Sequence, residues 1–251
     1  MQATLMPSLL LLAQQAGDAV MAVYGSVFEV GGKADRSPVT AADEQAEAII
    51  VAGLQQLTPG VPVVAEEAVS RGQVPATAAQ FWLVDPLDGT REFVQRNGEF
   101  TVNIALVQDA VPVLGVVLAP ALGRLFGGVL GAGAFEQVGG QRRPIGCRAP
   151  PEALTVLCSR SHDDRAALEA FVQGRAVARW QPAGSSLKFA LIAAGEGDLY
   201  PRLSRTMEWD TAAGDAVLRA AGGITEDLQG QPLRYGKPEF ENPHFVARAG
   251  G

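Results

Sequence analysis

Apolar residues recur at helical spacing through the opening segment, at Leu9, Leu12, Ala13, Ala16, Val20 and Val23, and predict an amphipathic helix ending near Tyr24 and Gly25. A mixed stretch, 26–38, closes in the polar loop 33–38, and Ala46, Ile49, Ile50, Gly53, Leu54 and Leu57 then restore the helical period. Ahead of them, Thr40 and Asp43 fit a hydroxyl followed three residues later by an acid, the pattern of a helix cap. The period then changes. Residues 61–64 are a short apolar run ending at Glu66 and Glu67, and 81–84 are a second that breaks at Asp85. Pro86 has a fixed φ and no N–H, so the strand is expected to stop there. After a short polar helix or loop at 91–98, residues 100–107, 111–119 and 123–135 read as an antiparallel meander. The stretch 139–144, with two glycines and a proline, is the best candidate boundary, dividing an α+β half, 1–140, from an α/β half, 141–251. The second half alternates strands at 153–159, 176–180 and 197–202 with three helices. These lie at 163–173, after Gly184, Ser185 and Ser186, and around Asp210 as far as Gly222.

With 251 residues and 47% hydrophobic content, the chain has ample material for a folded core. A formal net charge of -7 and the lack of any basic run exclude a nucleic-acid-coating surface, though small phosphorylated molecules remain open as substrates. The two cysteines, Cys147 and Cys158, have no zinc-ligand spacing and read as reduced thiols. The apolar run 6–13 has no basic residue before it and is too short to span a bilayer. A soluble, cytoplasmic protein is expected; peripheral contact with the membrane is left open, as is the choice between monomer and homodimer.

Candidate chemistry centres on Asp85, Asp88 and Thr90. Gly89 permits a tight turn, so both acids can converge, and their repulsion is relieved by a hard cation such as magnesium, manganese or calcium. The same residues alone also make an ordinary turn and helix cap. Glu66 ends the preceding strand, and sequential strands tend to be neighbours, so a third carboxylate is expected beside the first two. Asp210 repeats the design, at the passage from strand to helix. Ser185, Ser186 and Lys188 at a helix start suit either a phosphate or a plain N-cap. His162 alone reads as a solvated helix-start residue.

These stretches resemble a known family. WLVDPLDGT at 82–90, the Glu66–Glu67 pair and WDTAAG at 209–214 are similar to the two signatures of the inositol monophosphatase superfamily. KADRSPVTAAD at 33–43, RNGEFTVNIA at 96–105, SRSH at 159–162 and GSSLK at 184–188 are similar to its CysQ-type 3′(2′),5′-bisphosphate nucleotidases. The resemblance implies an α+β fold layered αβαβα and a lithium-inhibited phosphomonoesterase using two or three magnesium ions, with manganese as a substitute. It also implies the roles. Glu66, Asp85, Asp88, Asp210 and the Leu87 carbonyl would hold metal. Asp43 and Thr90, assisted by Glu66, would orient and deprotonate a water. Gly89, Thr90, His162, Ser185, Lys188 and Arg202 would hold the nucleotide. Ala65, where that branch often has Ser, removes a hydroxyl but no ligand.

The implied reaction is removal of the 3′-phosphate of adenosine 3′,5′-bisphosphate. An inositol or sugar-bisphosphate phosphatase with the same metal site is the enzymatic alternative, and a nucleotide-binding protein without turnover the non-enzymatic one. A haloacid-dehalogenase phosphatase is disfavoured, because its acids are one residue apart and these are separated by Pro86 and Leu87.

Overall fold

A computed structural model describes residues 2–26, 38–160 and 164–250. The expected loop at 33–37, His162 and the expected helix start at 163 lie outside the described residues. Two long helices, α1 (Gln2–Tyr24) and α2 (Pro38–Leu57), lead into β1 (Val63–Ala65), the short helix α3 (Glu66–Ser70) and β2 (Gln80–Asp88). Next come α4 (Thr90–Val94), β3 (Thr101–Gln108), β4 (Val111–Ala119), β5 (Arg124–Val129), β6 (Gly133–Val138) and β7 (Gln141–Ile145). The second half runs β8 (Ala153–Cys158), α5 (Arg165–Phe171), β9 (Ala176–Pro182), α6 (Leu187–Ala193), β10 (Leu199–Arg202), α7 (Glu208–Ala220), β11 (Gly223–Asp227) and β12 (Phe245–Ala249).

The first sheet is a seven-stranded meander in chain order, antiparallel except for the parallel pair β1 and β2. The second has five strands in the order β11-β12-β10-β8-β9. Alternation along the first sheet explains the continuous apolar runs. Trp82, Val84, Ile104, Leu106 and Val116 pack with α1 and α2, while Phe81, Leu83, Ala105, Val107 and Val117 join a core with α6, α7 and the second sheet. Both faces are covered, so no polar face is needed. On the outer side of the second sheet, Phe171 of α5 packs with Val156 and Leu199. The order is therefore α1/α2, sheet, α6/α7, sheet, α5: the expected αβαβα layering.

Three sequence expectations are corrected. The helix α2 begins at Pro38, so Asp43 is its sixth residue and not the acid of a cap at Thr40. The strand β2 does not stop at Pro86 but runs on to Asp88, with a bulge: Asp85 pairs with Asn103 and Asp88 with Thr101, leaving Pro86 and Leu87 opposite the single residue Val102. A bulge is one of the few places in a sheet where proline fits. Finally, Gly139 and Gly140, both with positive φ, turn β6 into β7. The first sheet thus extends to Ile145, and the change of sheet falls between Ile145 and Ala153.

The packing of α7 on the first sheet depends on a missing side chain. A Cβ on Gly115 of β4 would lie 2.4 Å from the Ala213 carbonyl oxygen and 2.8 Å from the Ala216 Cβ. Because the obstacle is helix backbone, Gly115→Ala is expected to cost about 3 kcal/mol, the upper end for overpacking. Urea denaturation should show it as a lower midpoint at unchanged slope; an unaltered midpoint would mean that α7 can step aside.

Candidate active site

The two sheets present their acids to one cleft of about 290 Å³. Ala65 is paired with Val84, so Glu66, which starts α3 just past the end of β1, and Asp85, inside β2, come from neighbouring positions of adjacent parallel strands. Asp210, third residue of α7, accepts the Met207 N–H at 2.8 Å, an N-terminal bond that fixes its carboxylate. One carboxylate oxygen from each of Glu66, Asp85 and Asp210 lies within 4.8 Å of the others. Asp88, beyond the bulge, accepts the Ser186 N–H at 2.6 Å, and Asp85 accepts the Leu87 N–H at 3.0 Å.

Among the described residues the cleft is also lined by Leu87, Gly89, Thr90, Ser185, Lys188 and Arg202, all anticipated from the sequence. Gly89 has φ 92, and a Cβ there would sit 3.3 Å from the Phe100 Cα, so this turn requires glycine. Thr90 is exposed at the start of α4. Asp43 does not line the cleft; it is buried in α2 and acts on the acids through space.

The electrostatics are dominated by carboxylates short of positive charge. Burial, then Glu67 and Glu66, push Asp43 up to about 8. Burial and Asp88 push Glu66 up to about 7. Burial and Asp210 push Asp88 up to about 7, against Lys188 and the Ser186 N–H. Asp85 is driven well above the carboxylate range by burial and then by Glu66, Asp88 and Asp210. Such a set of converging oxygen donors, raised by mutual repulsion, fits a hard divalent cation.

The start of α6 is neither the simple anion site nor the plain N-cap that its sequence allows, for Ser186 makes no side-chain cap bond. The Ser186 amide is taken by Asp88, and the buried Lys188 ammonium donates to the carbonyls of Ser185, at 2.7 Å, and Ala183, at 3.1 Å. Ser185 adopts φ 48, and its buried hydroxyl oxygen has no hydrogen-bond partner among the described residues. Behind the acids, Ser186 Oγ donates to Asn103 Oδ1 at 2.6 Å and lies 2.9 Å from Thr101 Oγ1. These are the β3 partners of Asp85 and Asp88. Sequence reasoning gave Thr101 and Asn103 no role; their traces are their place in the 96–105 stretch and the polar interruption they make in a strand otherwise apolar from 100 to 107. Tyr200, Arg205 and Thr206 also line the cleft and carry no motif signal of their own, and Thr211, within the 209–214 signature, joins them without having been given a role.

The profile of the Inositol monophosphatase family matches residues 2–248. The chain is 48% identical over 237 residues to the 3′(2′),5′-bisphosphate nucleotidase CysQ of Escherichia coli K12, covering 93% of this chain and 95% of that protein. The crystal structure of CysQ from Bacteroides thetaiotaomicron superposes with a TM-score of 0.86 at 37% identity, covering 99% of this chain and 98% of that one. An inositol monophosphatase from Zymomonas mobilis superposes with a TM-score of 0.79 at 26% identity, covering 95% and 90%. With a profile match over nearly its whole length and relatives this close in sequence and fold, the chain belongs to the inositol monophosphatase family.

Proposed function

We propose that this chain is a magnesium-dependent phosphomonoesterase that converts adenosine 3′,5′-bisphosphate and water to AMP and phosphate in the cytoplasm. The observation that carries this reading is the convergence of Glu66, Asp85 and Asp210, with Asp88 beside them, in a chain 48% identical to a bisphosphate nucleotidase. Glu66, Asp85, Asp88, Asp210 and the Leu87 carbonyl would hold two or three magnesium ions, with manganese able to replace them and lithium inhibiting. Bound there, such ions polarise the phosphoryl group and acidify a water.

The chain's own residues do the rest. Asp43 and the cleft-lining Thr90 would act as a pair, Thr90 orienting the attacking water and passing its proton inward to the buried Asp43, while Glu66 helps to hold the water. Gly89 and Thr90 position the scissile phosphate. Ser185, a cleft residue whose buried hydroxyl has no hydrogen-bond partner among the described residues, would serve the second phosphate and the ribose or base together with Lys188, Arg202 and His162. Lys188 contributes charge through a fixed position, being tied to two carbonyls. Among the described residues no helix is long and apolar enough to cross a membrane. The apolar run noted near the N-terminus is spent on packing, with Met6, Leu9, Leu10, Leu12 and Ala13 buried within α1.

The test is phosphate release from adenosine 3′,5′-bisphosphate and from inositol 1-phosphate with magnesium present. At least a tenfold higher kcat/KM for the nucleotide is expected, about 1.4 kcal/mol of discrimination. Preference for the inositol ester would overturn the nucleotidase reading in favour of its enzymatic alternative.

A further inference from the structure

The loop between α4 and β3 carries Glu99, and the residue after Ser159 is Arg160. They flank strands of different sheets, Glu99 before β3 and Arg160 after β8, 61 positions apart, yet Arg160 grips Glu99 with two parallel bonds, Nε to Oε2 at 2.6 Å and Nη2 to Oε1 at 2.7 Å. Glu99 Oε2 also accepts the Gly184 N–H at 2.8 Å. One carboxylate therefore ties together three segments. Two of them adjoin residues of the cleft wall: Arg160 follows Ser159, and Gly184 precedes Ser185. The contact is close, since a Cβ on Gly184 would lie 2.4 Å from the Glu99 carbonyl oxygen. Ser159 lines both the cleft and a second cavity of about 280 Å³, whose wall includes Arg160, Arg165 and Leu168.

We propose that the Glu99–Arg160 pair is a positioning clasp that fixes the Ser159 and Ser185 walls of the cleft relative to each other, and so governs affinity for the nucleotide without taking part in the chemistry. This rests on the nucleotidase reading above. The two-point geometry suits positioning, because a guanidinium fork meeting a carboxylate sets orientation as well as distance. Neither residue lines the metal end of the cleft. Both side chains retain solvent contact, 18% for Glu99 and 40% for Arg160, so the core does not depend on the pair.

The experiment measures KM and kcat for adenosine 3′,5′-bisphosphate, and inhibition by inorganic phosphate, in wild type, Glu99→Gln, Arg160→Ala, Arg160→Lys and the Glu99→Gln/Arg160→Ala double variant. Each of Glu99→Gln and Arg160→Ala is expected to raise KM about tenfold with kcat within about twofold, and the double variant to be no worse than either. Arg160→Lys, keeping the charge but losing the fork, should fall between. Inhibition by phosphate, a single anion that does not span the two walls and so needs no fixed distance between them, should not move. A wild type that prefers the nucleotide, with variants of unchanged KM, overturns the clasp alone; so do equal losses in KM, kcat and phosphate inhibition, or additive effects in the double variant. A wild type that prefers inositol 1-phosphate overturns the nucleotidase reading, and the clasp with it.

Discussion

Asp85→Asn is expected to lower kcat/KM for adenosine 3′,5′-bisphosphate by about a thousandfold, roughly 4 kcal/mol, while making the metal-free protein more stable. The two effects have one cause. Asp85 is 1% exposed and feels Glu66, Asp88, Asp210 and Asp43 at once. A negative charge there is unfavourable without a cation and indispensable for holding one. Asparagine has the same shape and keeps the oxygen that accepts the Leu87 N–H, so the turn survives and only the charge is lost. Phosphate-release assays with magnesium and calorimetry in EDTA at pH 8 measure both, with a gain of about 3 °C expected for the metal-free variant. A variant with near-normal turnover, or one destabilised in EDTA, would remove Asp85 from the metal site.

Metal-free wild type should lose stability as pH rises from about 5 to 8, and magnesium should abolish that loss. Asp43 is raised to about 8, Glu66, Asp88 and Asp210 to about 7, and Asp85 well upward, in each case by burial first. Between the ordinary carboxylate range near 4 and these values, the folded state keeps protons that the unfolded chain has released. Folding then takes up protons, so stability is full at the acid end of the window and falls as pH climbs through it. Glu99 and Asp198 work the other way. Each is held below the ordinary range despite burial, by Arg160 and Arg148 respectively, and each loses its contribution on the acid side. The maximum should therefore lie near pH 5. With about 2–4 °C per kcal/mol in a chain of this size, a fall in Tm of about 5–10 °C by pH 8 is expected in EDTA. Saturating magnesium should raise Tm far more at pH 8 than at pH 6, because binding displaces protons from its ligands. A flat or rising Tm in EDTA would contradict this electrostatic account.

Much of this was legible in the sequence because the signals were local. The continuous apolar run at 81–84 reported a buried strand, the alternation at 100–107 another, and helical periods marked α1 and α2. Glu66, Asp85 and Asp210 were found because each stands where an apolar run ends or a helix begins. The misses have physical reasons. The strand β7 is an exposed edge carrying Gln141, Arg142, Arg143 and Pro144, the composition that protects an edge from pairing, so it reads as a loop. The bond from Ser186 to Asn103 spans 83 positions and leaves no periodicity to detect. Asp43 looked like a cap because Thr40 precedes it by three, and only the earlier start at Pro38 releases it from that duty.

The bulge at Pro86 and Leu87 also makes the number of residues between the two acids a matter of parity. In an unbroken strand, positions separated by one residue share a face and those separated by two lie on opposite faces. Asp85 and Asp88 are separated by two, yet their partners Asn103 and Thr101 are separated by one, because the bulge absorbs a residue. The spacing and the irregularity are thus a matched pair. The proline that looks like a stop signal sits in the extra step that puts the second acid back in phase with the first.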